Sequence, residues 1–307
     1  MTVIPGYRAL VFGAIIGLPR LGFGALPAAG PPSLPAPAFA PHDSVKSLGC
    51  GQAGAHPGEW NLKSTDGNGR SRSYLLRVPA DYEVSRPYPL VFIFHGAGGN
   101  SRQSYAWGLQ NVAGASAGAI FVFPDGIAYK NFGVGWDDTT DGYDLPFFDH
   151  MKKDIEARYC VDTARVFVAG FSWGGDFAAA LACNRGDEIR AVAANSTDDE
   201  FKDRSNYLTY ADLPCRGGRR PAIRFEHAAG GDKEYPAPYF ATTSRLFQYL
   251  NSCSTGSTEV APRTAVVACV SYNGCAGEYV ECTFDHSIGH ALPPTWARDT
   301  WDFFSRF

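Results

Sequence analysis

Ser172 lies at the centre of Gly170-Phe171-Ser172-Trp173-Gly174, directly after the apolar run Arg165-Val166-Phe167-Val168-Ala169. Gly175 and a helix-like stretch over 176–183 follow it. A serine hydroxyl is a weak nucleophile unless it is held exposed beside a base. A strand that runs into a tight turn and then a helix achieves this. The flanking glycines are expected to let the chain bend sharply enough to lift the hydroxyl clear of a sheet. The pentapeptide alone does not decide the matter, because Gly114-Ala115-Ser116-Ala117-Gly118 has the same form. That copy follows a helix-like segment over 103–113 and precedes a strand-like run over 119–123, the reverse of the order the chemistry needs. In a chain with 34 glycines a chance match is unsurprising, and Ser116 reads as part of a small-residue loop.

The nucleophile needs a base, and among seven histidines the candidate is His290, in Ser287-Ile288-Gly289-His290-Ala291 ahead of a final helix. His286 would make a metal-binding pair with it only on a helix. Gly289 and the strand-like run before it argue against one, so His286 reads as structural. The base in turn needs a carboxylate to fix its tautomer and stabilise the imidazolium. Asp232 is favoured, because it follows the strand two crossings after the nucleophile; Glu234, Asp198 and Asp199 are the alternatives. The oxyanion of a tetrahedral intermediate wants two preorganised N–H donors. Trp173, at the start of the helix, is expected to supply one. Ala97, within His95-Gly96-Ala97-Gly98-Gly99, is expected to supply the other; that loop lacks the lysine and Ser/Thr of a phosphate-binding loop. Trp136 and Phe171 are the candidate substrate-binding residues. Both fall in or near strand-end loops, as do Tyr105, Trp107, Tyr129 and Trp173, where rings line a pocket or simply pack. This chemistry calls for no metal and no organic cofactor.

The elements that must position these groups are legible as alternating runs. Strand-like segments cover 73–78, 89–94, 119–123, 165–169, 191–194 and 221–225, and a hairpin is expected over 264–284. Helical segments cover 147–159, 176–183, 239–250 and 293–307, the last with a proline at its start. Alternation of this kind implies the α/β class, with a mostly parallel twisted sheet covered by helices on both faces. Sites in such sheets collect at the carboxyl ends of the strands. Ser172, the His95 loop, Asp232 and His290 all lie just after predicted strands.

At 307 residues the chain suits one large α/β domain, expected over 41–307. The net charge of −4 and the lack of a basic run exclude a phosphate-tracking nucleic-acid surface. Residues 1–40 have the shape of a secretion signal followed by a Pro/Ala-rich segment. Arg8 precedes an apolar stretch over 9–18, too short to span a bilayer comfortably, and Ala36-Pro37-Ala38 offers a small-x-small cleavage site. The eight cysteines are spread along the chain with no close CxxC pair, which favours disulfides in an oxidising compartment over a zinc site. Cys269 and Cys282 flank Asn273-Gly274-Cys275-Ala276-Gly277 at equal distances and are expected to face each other across a hairpin, with Cys253 a candidate partner for Cys275. Asn195-Ser196-Thr197 is a glycosylation sequon, but its place at a strand end beside the site argues against its use.

From Cys50 onward the chain resembles secreted feruloyl esterases of the type C group and the related poly(3-hydroxybutyrate) depolymerase-like esterases. The resemblance is carried by Ser47-Leu48-Gly49-Cys50-Gly51, by Tyr88-Pro89-Leu90 leading to the His95 loop, and by Tyr159-Cys160-Val161-Asp162-Thr163-Ala164-Arg165. It continues through Gly170 to Gly175, Leu181-Ala182-Cys183 and Ile288-Gly289-His290. It implies an α/β-hydrolase fold and a secreted serine esterase acting on feruloylated plant cell-wall polysaccharide or small phenolic esters, with Ser172, Asp232 and His290 as the triad. An acetylxylan esterase or polyhydroxyalkanoate depolymerase is the alternative on the same scaffold, and a non-catalytic binding protein is the alternative outside enzymes. The chain departs from the family pattern in three places. One more residue separates His227 from Asp232. Leu292 stands where the family has tryptophan. Residues 136–148 align poorly and are expected to help shape the substrate pocket.

Overall fold

The structure is a computed structural model and describes residues 44–198, 221–260 and 267–307. The expected secretion segment, Asp199 and Cys215 lie outside the described residues. Apolar runs form the centre of a ten-stranded sheet. The strands β3 (Tyr88–Phe94), β4 (Ile120–Pro124), β8 (Ala191–Asn195) and β9 (Ala222–Ala228) are buried along their whole lengths. Between them runs the longer β7 (Val161–Phe171). A continuous apolar run is what a strand covered on both faces requires. Alternation along each strand then divides the core. Leu90, Phe92 and Phe94 point to one face, while Val91 and Ile93 point to the other.

The remaining strands are β1 (Gly58–Thr65), β2 (Ser71–Val78), β10 (Ser257–Val260), β11 (Val267–Tyr272) and β12 (Tyr279–Phe284). The order across the sheet is β1-β2-β4-β3-β7-β8-β9-β12-β11-β10. The strands from β4 to β12 in that order run parallel. Both flanks are antiparallel additions. A small separate hairpin, β5 (Ile127–Ala128) with β6 (Val134–Gly135), stands beside the carboxyl ends of the strands.

Helices α2 (Asp144–Arg158), α3 (Trp173–Asn184) and α4 (Ala237–Leu250) cover one face. The short α1 (Ser101–Ala106) and the C-terminal α5 (Trp296–Phe304) cover the other, where Trp296, Trp301, Phe303 and Phe304 pack on the sheet. Every residue of α3 is buried; its run of alanines lets it lie close against the strands.

The structure changes several element boundaries. The helix expected over 103–113 ends at Ala106, because Gly108 takes a left-handed φ of 80° and only a single 3-10 turn, Leu109–Asn111, follows. Ser116 sits in the turns ahead of β4, not at a strand tip. The last helix begins at Trp296 instead of 293, since Pro294 disfavours helical geometry in the residue before it. The two edge strands β1 and β10 were not anticipated. Both are largely exposed and rich in polar residues; β1 alternates only over Glu59-Trp60-Asn61-Leu62-Lys63, and β10, Ser257–Val260, not at all.

Three disulfides join described cysteines: Cys50–Cys160, Cys253–Cys275 and Cys269–Cys282. The last two are the expected pairs, and Cys269 sits directly opposite Cys282 in the β11–β12 register. Cys50–Cys160 spans 110 residues and fastens the N-terminal segment to the start of β7. Cys183 is disulfide-bonded as well.

Candidate active site

β7 ends in a sharp bend at Ser172, whose φ of 54° and ψ of −130° are unusual for a residue with a side chain. The bend is taken by the serine itself, which corrects the expectation that the neighbouring glycines supply it. Gly170 and Gly174 serve close approach instead. A Cβ on Gly170 would strike the backbone of Gly174, and one on Gly174 would strike the carbonyls of Phe94 and His95. The turn is held by the Ser172 N–H donating to the Asn195 carbonyl at 2.9 Å, and by the Ser172 carbonyl accepting from Gly175 N–H at 2.7 Å and Asp176 N–H at 3.1 Å. The hydroxyl caps no helix N–H and is left free to meet the base.

His290 Nε2 lies 2.9 Å from Ser172 Oγ, and its Nδ1 lies 3.0 Å from Asp232 Oδ2. The sequence separations are 118 and 58 residues. Because a carboxylate only accepts, Nδ1 carries the proton and Nε2 is left to take the hydroxyl proton. The Asp232 side chain has no exposed surface. Its other oxygen accepts from Glu234 N–H and Tyr235 N–H, both at 2.8 Å. Between His227 and Asp232 the chain turns through Gly230 and Gly231, both at positive φ (78° and 93°). Glu234 is exposed beside Lys233, and the carboxylate on His290 Nδ1 is that of Asp232. His286 donates from Nδ1 to the Gly231 carbonyl at 2.6 Å, which ties the loop of His290 to the loop of Asp232. That is the structural part expected of it.

The His95 loop passes directly against the bend: a Cβ on Gly96 would lie 3.2 Å from Ser172 Cβ. Ala97 sits exposed at the crest of this loop, and Trp173 opens α3. The loop is fastened from below. His95 donates from Nδ1 to the Gly96 carbonyl and accepts from Gly126 N–H at Nε2, both at 2.8 Å. Burial lowers the pKa of this imidazole, which keeps it in the neutral form that both bonds require. Gly98 N–H donates to the Val134 carbonyl at 2.8 Å, which links the loop to the β5–β6 hairpin.

Trp136 is not part of a substrate surface, contrary to expectation. It has no exposed area, and its Nε1–H donates to the His95 carbonyl at 2.8 Å. Its ring stacks on Phe177 and meets Phe94 edge-on. Residues 136–148 likewise form a buried brace more than a pocket wall. Asp144 accepts from Arg72 and from Asp137 N–H, and burial pushes its carboxyl up to about 6 against the pull of Arg72. Phe171 does lie at the site, its ring 4.9 Å from that of His290. On another side of the imidazole stands Tyr235, at 5.2 Å, a residue sequence reasoning missed. Its backbone bond to Asp232 was the only signal available, and it is invisible without the fold.

Beneath the bend, Asn195 donates to Glu226, which is paired with Arg224 at 2.8 Å. Asn195, Ser196 and Thr197 are all buried, which closes the sequon to modification in the folded chain. A separate groove of about 660 Å³, lined by Leu48, His56, Trp60 and Tyr159 among others, lies by the start of β7, at the opposite end of that strand from Ser172.

A parallel sheet flanked by helices, a serine at a strained strand-to-helix bend, and a Ser–His–Asp hydrogen-bond chain whose members follow in the sequence order Ser172, Asp232, His290 together define an α/β-hydrolase. No family model matches the sequence. It is 30% identical over 285 residues to feruloyl esterase D of Neurospora crassa, covering 86% of this chain and 91% of that protein. It is also 30% identical over 283 residues to feruloyl esterase C of Emericella nidulans, covering 87% and 94%. Among solved structures, an acetyl xylan esterase from Aspergillus awamori superposes with a TM-score of 0.63 at 17% identity, over 80% of this chain and 99% of that one. A thermostable esterase superposes with a TM-score of 0.51 at 15% identity, over 80% and 62%. These structural likenesses establish the fold. The sequence relatives establish the family: the chain belongs to the feruloyl esterases of the C and D type, which are carboxylic ester hydrolases.

Proposed function

We propose that this chain is a secreted serine esterase that releases feruloyl and related hydroxycinnamoyl groups from esters of plant cell-wall polysaccharide, with Ser172, His290 and Asp232 as its catalytic triad. The observation that carries this reading is the continuous hydrogen-bonded path from Ser172 Oγ through both nitrogens of His290 to Asp232. As Ser172 Oγ attacks the ester carbonyl, its proton passes to His290 Nε2. Asp232 stabilises the imidazolium, and the N–H groups of Trp173 and Ala97 receive the oxyanion. Collapse of the intermediate breaks the ester C–O bond, and His290 gives its proton to the departing sugar hydroxyl. Water, activated by the same imidazole, then attacks the acyl-enzyme and frees the acid. The acyl specificity is drawn from the named activities of the relatives. Secretion is supported by the disulfides and by the composition of residues 1–40.

The test is a panel of methyl ferulate, acetylated xylan and short polyhydroxybutyrate oligomers. The protein is expected to prefer methyl ferulate, and Ser172→Ala is expected to lose about a thousandfold or more of that rate. Substantial activity in Ser172→Ala would remove the nucleophile assignment. A clear preference for acetylated xylan would move the acyl assignment to acetyl.

A further inference from the structure

An exposed phenylalanine rides on the hairpin that braces the proposed oxyanion loop. The turn joining β5 to β6 carries Tyr129, Lys130 and Phe132. It is closed by Tyr129 N–H donating to the Gly133 carbonyl at 2.8 Å and by Phe132 N–H donating to the Tyr129 carbonyl at 3.0 Å. The base of the hairpin is fixed on both sides of the site. Val134 accepts from Gly98 of the His95 loop, and Gly135 lies so flat against the Trp173 indole that a Cβ has no room there. On this tied turn the Phe132 ring is 64% exposed. It stacks on Tyr129 at 6.3 Å and meets the Trp173 ring edge-on at 6.4 Å. Among the described residues Phe132 is thus one of the few large apolar side chains held out in solvent, and it is held beside the residue that follows Ser172.

Ester cleavage gives the two flanks of the site different tasks. In the tetrahedral intermediate the oxyanion faces the N–H groups of Trp173 and Ala97, and the leaving alcohol takes its proton from His290. The acyl substituent must extend on the remaining side, away from the imidazole. The rings of Phe171 and Tyr235 stand beside His290, the group that protonates the leaving alcohol. The rings of Tyr129 and Phe132 stand instead beside the Trp173 ring, at 6.0 and 6.4 Å.

The geometry points to Phe132 as a specificity-determining residue for the acyl moiety, its ring stacking on the planar aryl ring of a hydroxycinnamoyl ester and so favouring aryl-bearing acyl groups over acetyl. This rests on the esterase reading above and adds to it the residue that reads the acyl ring. The test compares wild type, Phe132→Ala and Phe132→Tyr on methyl ferulate and on p-nitrophenyl acetate, which carries its ring on the leaving group. In Phe132→Ala the ratio of kcat/KM for methyl ferulate to that for p-nitrophenyl acetate is expected to fall about fivefold to tenfold, chiefly through KM, and Phe132→Tyr is expected to restore it. A ratio within about twofold of wild type overturns the inference, as does an equal loss on both substrates, which marks a structural role. A wild-type protein that cleaves p-nitrophenyl acetate but not methyl ferulate overturns the feruloyl reading and this inference together; an unchanged ratio in an enzyme active on methyl ferulate overturns this inference alone.

Discussion

Ser172 adopts a backbone conformation that costs on the order of 1–3 kcal/mol and persists only where its surroundings fix it. Here they do so from two directions, through the Asn195 carbonyl on β8 and through the first N–H groups of α3. The same logic governs His95, whose two ring nitrogens are both committed to backbone partners. Because burial lowers its folded pKa, His95 contributes stability that is present above the unfolded value of about 6.5 and is lost as pH falls through the lower folded value. In that window the unfolded chain binds a proton that the native chain does not, so stability must decline on acidification. Denaturant titrations between about pH 6.5 and 4.5 are expected to show a shallower acid loss for His95→Asn than for wild type, by up to about 1.4 kcal/mol per pH unit. Parallel slopes in the two proteins would show that His95 is not the titrating group. At this scale the convergence of Ser172, His290 and Asp232 was legible in the sequence, because each follows a recognisable strand. The sequence served poorly for Trp136. A tryptophan in a strand-end loop looks the same whether it turns outward or inward, and its inward turn is decided by a carbonyl 41 residues away.

The elements show where local pattern runs out. Buried strands such as β3 and β4 announce themselves as unbroken apolar runs, and β11 with β12 shows itself through its cysteines. The edge strands β1 and β10 pair with a neighbour's hydrogen-bonding edge and leave little trace in their own hydropathy, a short alternation around Trp60 and Leu62 in β1 and none in β10. The β5–β6 hairpin is the element that matters most among those not foreseen, since it joins the His95 loop to Trp173 and so couples the two proposed oxyanion donors. Gly135 is the point of closest approach. Gly135→Ala is expected to displace the Trp173 indole, to destabilise the fold by about 1–3 kcal/mol as overpacking does, and to depress kcat on short esters. Thermal melts and p-nitrophenyl acetate kinetics check this together; a variant with wild-type melting and turnover would show that the hairpin does not set the donors.

Across the whole molecule, the site exists only when three loops and the nucleophile bend, from distant parts of the chain, meet at one rim of the sheet. The Asp232 and His290 loops are joined to each other by His286, and the His95 loop is joined to the nucleophile bend by the fit of Gly96 against Ser172. The Cys50–Cys160 disulfide closes a loop of 110 residues and holds the start of β7, the strand that carries the bend at its far end. Parallel order with helices on both faces was readable from the alternation of segments, and it fixed in advance which rim would carry the site. What no local pattern conveyed was the depth of each side chain below that rim. The central claim is that Ser172 becomes covalently acylated through His290. Acid quench of the enzyme within milliseconds of mixing with methyl ferulate, followed by peptide mass mapping, tests it most directly. A feruloyl group on the peptide containing Ser172, formed in a burst ahead of steady-state ferulate release or at low steady occupancy, is the predicted result. Ferulate formed with no adduct in wild type or in a His290→Ala variant, or an adduct on another residue, would contradict it.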